Sequence, residues 1–265
     1  MALDDDLEQT KAPLMEHLME MRQRIIYAML SVIVCFAFCF YFAKDIYNIL
    51  LVPYTWAAGP DAIVELQFTA PQEFFFTQMR LSLFGALFLS FPIIATQIYM
   101  FVAPGLYRNE RGAFLPFLIA TPVLFMIGGA LVYFMAMPLA MRFFLSMQQV
   151  GEGQVQIKLI PKVSEYLGLV TTLMMAFGIC FQLPVLLTLL ARAGLVSSAW
   201  LIAQWRYAIV IIFIVAAILS PPDPISQTGV AIPTILLYGL SIYSVRLVEK
   251  KREAKRQAEK DADAE

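Results

Sequence analysis

Four stretches without a single charged side chain decide what this chain can fold into: Ile25–Ala43, Leu81–Val102, Gly112–Met141 and Tyr166–Ala191. A helix needs about 20 apolar residues to cross a hydrocarbon core ~30 Å thick, and inside that core its backbone must satisfy its own polar groups. Each run therefore reads as a membrane-spanning helix. Two shorter runs follow: Tyr207–Leu219 reaches about 20 Å and Gly229–Val245 about 25 Å at 1.5 Å rise per residue. They are joined by "SPPDPISQ", where the prolines end one helix and Asp223 or Ser226 can cap the next. The pair reads as a short helical hairpin, beside which a bilayer would have to thin. Residues of the AVILMFWYC set make up 60% of the chain and charged residues 15%, against roughly 45–50% and about 25% in soluble domains. The expectation is an all-α integral membrane protein. Its single transmembrane domain covers 1–245, with spans near 25–43, 81–102, 114–138, 166–190, 207–220 and 228–245, and a charged tail covers 246–265.

Six spans put both termini on one side of the membrane. Of the 19 lysines and arginines, Lys44, Arg80, Arg142, Lys158 and Lys162 fall on the side opposite the termini, and the other 14 fall on the side that carries them. The positive-inside rule then makes that side cytoplasmic. Trp200 and Trp205 fit an interfacial belt there, and the acidic start "MALDDDLEQTK" excludes a basic-then-apolar signal peptide. The outer connector Lys44–Thr69 is long and half apolar, so it is expected to pack as a cap rather than extend into solvent. Thr69-Ala70-Pro71-Gln72 reads as a capping box opening the second span, with Glu73 in the first turn, and Ser164-Glu165 opens the fourth by the same logic.

The candidate chemistry is sparse. In "APLMEHLMEMRQRII", Leu14, Leu18, Met21 and Ile25 form an apolar stripe while Glu16, Glu20 and Arg24 recur at four on another face. This predicts an amphipathic interfacial helix running into the first span, its carboxylates pairing with Arg24. In "FVAPGLYRNERGAF", Pro104-Gly105 is expected to break the second span, leaving Glu110 between Arg108 and Arg111 at the cytoplasmic mouth. From the residues alone this carboxylate either makes a local ion pair, worth at most about 1 kcal/mol when exposed, or receives positive charge from a partner. Gln182 is the polar residue at membrane depth, followed by Pro184, which should kink the helix. Cys35, Cys39 and Cys180 read as buried small apolar residues, not a disulfide or metal site. The chain has no P-loop, no His at metal spacing around His17 and no Ser/His or paired-Asp constellation. That argues against an enzyme or an ATP motor and gives no sign of nucleic-acid binding. A receptor or scaffold and a multi-span small-solute transporter or channel remain.

Four fragments together resemble one family: "PLMEHLMEMRQRI", "FTAPQEFFFTQMRLSLFGALFLSFPIIATQIYMFVAPGLYRNER", "FQLPVLLTLLARAGLV" and "SPPDPISQTGVAIPTILLYGLSIY". In order and spacing they are similar to TatC, the six-span core of the twin-arginine protein translocase. The resemblance implies a concave bundle in a bacterial cytoplasmic (inner) membrane that binds twin-arginine signal peptides of folded precursors. It also implies work with TatB and TatA in a multimeric TatBC complex, driven by the proton-motive force, with no cofactor. Residue by residue, it implies signal-peptide binding for Glu20, Arg22, Phe101, Pro104, Leu106, Tyr107, Glu110 and Arg111. Roles for Pro53 in the first outer loop and for Pro221, Pro222 and Asp223 in the hairpin follow in the same way. Gln182, where many members carry glutamate, together with Ser220 and Gln227, is implied in polar contacts with partner helices. The paired carboxylates Glu20 and Glu110 suit two guanidinium forks better than two ammonium points.

Overall fold

The computed structural model describes residues 2–60, 65–106, 115–149, 158–219 and 224–262. Its elements are α1 (Ala2–Tyr41), α2 (Ala43–Ala58), α3 (Glu73–Leu106), α4 (Leu115–Leu131), a π-helical turn (Val132–Ala136), α5 (Met137–Ser146), α6 (Val163–Cys180), α7 (Leu183–Arg192), α8 (Ser198–Ala203), α9 (Trp205–Leu219) and α10 (Pro224–Ala262). Among the described residues, Gln67 and Lys162 form an isolated parallel bridge. Five helical stretches are long and apolar enough to cross a membrane: His17–Tyr41, Glu73–Phe101, Pro116–Ser146, Val163–Arg192 and Gln227–Ala254, with Trp205–Leu219 as a sixth, shorter apolar helix. The chain is a multi-pass membrane protein.

Several boundaries differ from the sequence reading for local reasons. Pro104-Gly105 does not break the second span, because α3 continues to Leu106; one proline removes a single intrahelical bond, and tertiary context absorbs it. The third span outruns 114–138, since α4 passes through the π-helical turn into α5, the Met137 N–H reaching back to the Val132 carbonyl. The fourth breaks as Pro184 requires, with Phe181 and Gln182 between α6 and α7. The tail is a helical continuation of the sixth span, α10 running 39 residues. The connector 44–69 is helical over α2, a state its composition did not announce.

Two compact units divide the chain. One holds Met1–Ala43 and Met79–Pro122, the other Lys44–Gln78 and Val123–Glu265. In the first, Tyr99 Oη and Thr121 Oγ1 lie 2.8 Å apart and join α3 to α4. In the second, Gly128 and Gly178 let helices approach closely: a Cβ on Gly128 would stand 2.7 Å from the Phe177 carbonyl oxygen, and one on Gly178 would enter the Phe125 ring. Small residues at such crossings are how helices gain packing when lipid offers no hydrophobic drive to associate. Farther along, α10 packs on α7 and α8 around Ala191, Leu201 and Val245. Thr188 Oγ1 lies 2.7 Å from Ser244 Oγ, and the Tyr238 hydroxyl donates to the Leu201 carbonyl at 2.8 Å. Ser197 caps α8 by accepting from the Trp200 N–H, and Glu249 of α10 accepts from the Ser198 N–H.

Candidate functional site

The first unit places the predicted carboxylate at its interhelical face. The stripe Leu18, Met21 and Ile25 is exposed, as befits a helix whose apolar side meets lipid, so Glu20 and Arg24 on the other face turn toward α3. Arg24 Nη2 donates to Glu20 Oε1 at 3.2 Å, with Arg24 25% and Glu20 34% exposed. The second guanidinium nitrogen reaches α3, donating to Gln97 Oε1 at 3.4 Å and to Met100 Sδ at 3.6 Å. One turn earlier on α1, His17 stacks on Phe101 with ring centroids 4.4 Å apart and planes 17° from parallel. A shallow, open depression along one face of α1 is lined by Met19, Glu20, Arg22, Gln23 and Ile26. His17 and Arg24, which flank Glu20 and Arg22 near the middle of α1, thus meet the end of α3 at Gln97, Met100 and Phe101. The sequence foresaw the Glu20–Arg24 pair from spacing; it did not foresee Gln97 or Met100, because only the alignment of α3 beside α1 brings them into reach.

Pro104 and Leu106 lie in the last turn of α3, and their side chains are outside the described set. Tyr107, Glu110 and Arg111, with Arg108, lie outside the described residues, as do Ser220, Pro221, Pro222 and Asp223.

The second unit explains the loop proline. Pro53 sits inside α2 and has no N–H, so the Ile49 carbonyl four residues earlier loses its helical donor. The Tyr133 hydroxyl from the π-helical turn supplies one at 2.8 Å, and the Tyr166 hydroxyl from α6 donates to the adjoining Leu50 carbonyl at 2.9 Å. Trp56 stacks on Phe134 and meets Tyr133 edge-on. The π-helical turn is therefore where α2 docks. No sequence signal pointed to Tyr133 or Tyr166, since aromatic residues are common throughout the chain.

The capping prediction needs two corrections. The side chain that reaches back to Thr69 is Glu73, not Gln72: Glu73 Oε2 accepts from the Thr69 N–H at 2.8 Å and from the Thr69 hydroxyl at 3.1 Å. Ser164 does not cap its own helix, where Lys162 is the N-cap residue without a side-chain bond; it donates to Glu73 Oε1 at 2.5 Å. A carboxylate offers two acceptor oxygens and so takes both partners as donors at once, one on each oxygen. The bridge between Gln67 and Lys162, with Gln67 N–H on the Pro161 carbonyl and Val163 N–H on the Gln67 carbonyl, runs directly alongside. Lys158 pairs with Glu65 at 3.1 Å.

Gln182 donates to the Gly178 carbonyl at 3.2 Å across the kink, and Gln227 of α10 donates to the Phe213 carbonyl of α9 at 3.2 Å. Cys35, Cys39 and Cys180 are free thiols. Among the described residues no group of three or more His, Cys, Asp or Glu side chains is placed to hold a metal ion.

A family model described as Sec-independent protein translocase protein (TatC) matches residues 16–233. The Sec-independent protein translocase protein TatC of Magnetococcus marinus is 46% identical over 254 residues, covering 96% of this chain and 91% of its own. That of Rickettsia prowazekii is 41% identical over 237 residues, covering 89% and 94%. A crystal structure of the twin arginine translocase receptor TatC superposes with a TM-score of 0.75 at 35% identity, covering 88% of this chain and 99% of its own.

Proposed function

The chain belongs to the TatC family and is a component of the twin-arginine protein translocase, and on that premise we propose that it is the receptor for twin-arginine signal peptides and the scaffold of the export complex. It acts in the bacterial cytoplasmic membrane with both termini in the cytoplasm, beside TatB and TatA, and the proton-motive force drives transport. It carries out no covalent chemistry.

The observation that carries the reading is the state of Glu20. Its side chain is one-third exposed in a shallow depression on α1, and its carboxylate is engaged by Arg24 through one oxygen. A carboxylate engaged through one oxygen keeps the other open for a first contact with a second guanidinium, and Met19 beside it offers the flanking residues of a signal an apolar surface. Glu110 supplies the second acceptor in this reading. A planar fork matches a carboxylate bidentately, and an ammonium does not.

The test is titration of the detergent-solubilised full chain with a labelled twin-arginine peptide, beside a twin-lysine control. Hydrogen bonds to charged groups contribute about 1.5–3 kcal/mol. Glu20→Gln and Glu110→Gln are therefore each expected to weaken arginine-peptide binding by about 10- to 150-fold while changing lysine-peptide binding less. Equal binding of both peptides by all three proteins would remove the receptor assignment from these carboxylates.

A further inference from the structure

We infer that Arg24 is a built-in competitor for the Glu20 carboxylate, a guanidinium of the chain itself that an arriving arginine must displace. The inference rests on the receptor reading of Glu20 and adds a regulation to that site. Arg24 Nη2 occupies Glu20 Oε1 at 3.2 Å. An incoming guanidinium that binds as a fork needs both carboxylate oxygens, so it cannot bind fully while Oε1 is taken. An ammonium is a point charge and can settle on one oxygen without displacing anything.

Three features make the pair exchangeable rather than structural. Both side chains keep access to water, at 25% and 34% exposure, and partly exposed ion pairs are weakly held. The two residues lie four apart on one helix, so no tertiary contact is broken when they part. Above all, Arg24 has a second anchorage: Nη1 is held by Gln97 Oε1 and Met100 Sδ of α3, and neither contact involves Glu20, so releasing the carboxylate does not require breaking them. Displacement leaves Nη2 to water, which the 25% exposure of Arg24 admits. A ligand that gains two bonds for the one broken replaces the internal partner, whereas a point charge on the free oxygen leaves it in place.

The experiment uses the full chain in detergent with labelled twin-arginine and twin-lysine peptides, on the wild type, Arg24→Gln, Arg24→Lys and Glu20→Gln, each shown to be monodisperse. Arg24→Gln is expected to bind the arginine peptide about two- to fivefold more tightly, the fold-change set by the strength of a partly exposed ion pair. The preference for arginine over lysine should rise with it, since the lysine peptide gains only the loss of a like charge. Arg24→Lys keeps the charge and should fall between wild type and Arg24→Gln. Weaker binding by either Arg24 variant would make Arg24 a strut that positions Glu20 and overturn the inference, and so would unchanged binding. Should Glu20→Gln bind as the wild type does, the receptor reading itself fails, whatever the Arg24 variants show.

Discussion

The first and fourth apolar helices are alike in composition and opposite in surroundings. Over their most apolar stretches, 6% of the residues of His17–Tyr41 are buried within the protein, against 50% for Val163–Arg192. The first exposes Ile33, Val34 and Phe38; the fourth buries Tyr166, Val170, Leu173 and Phe177. Apolarity therefore reports immersion in lipid and says nothing about which helix meets protein. The discriminating mark on the buried helix is Gly178 against Phe125; the Thr171 hydroxyl donates to the Leu167 carbonyl of its own helix, as the Ser31 hydroxyl of the first helix does to Ala28. Backbones approach closely only where side chains are small.

Substitutions can break this contrast. The largest effect is expected from Gly178→Leu, whose side chain would occupy the space of the Phe125 ring. Overpacking costs about 1–3 kcal/mol even where neighbours can shift, so the detergent-solubilised protein should unfold at a distinctly lower temperature, read by thermal size-exclusion chromatography. Next is Tyr166→Phe. It removes the buried hydrogen bond to the Leu50 carbonyl while leaving the ring contact with Tyr54, and one such bond contributes about 0.5–1.5 kcal/mol. The expected result is a smaller fall in unfolding temperature, with faster hydrogen exchange along α2. Smallest is Val34→Ala on α1, expected within about 0.5 kcal/mol of wild type because the residue touches little protein. A large loss from Val34→Ala in the isolated chain would refute the contrast. A loss confined to the assembled complex would sharpen it, by showing that α1 is covered by another subunit.

Much of this was legible in the sequence because membrane immersion writes itself in long uncharged runs. The four long spans, the short fifth helix and the Pro184 kink all follow from lengths and prolines. The Glu20–Arg24 pair follows from a spacing of four. What escaped depends on tertiary neighbours. Thr69 and Gln72 have the right spacing for a capping box, yet Glu73 takes the role, because its second oxygen also receives Ser164 from a helix start some ninety residues away. Pro53 was visible, but the hydroxyls of Tyr133 and Tyr166 that make it tolerable were not, since nothing marks one tyrosine out from the others along a chain.

The π-helical turn at Val132–Ala136 has a consequence for how such chains are compared with one another. A backbone bond from residue i to i+5 encloses one residue more than an α-helical bond does, and each residue turns a helix by about 100°. The turn thus acts as a phase shift: Met137, Ala140 and Met141, all buried, owe their inward face to a surplus residue upstream. A homologue lacking that residue could keep every later letter identical and still present another side. Comparing the two position by position would match residues that never share a neighbour unless the gap is placed within those five.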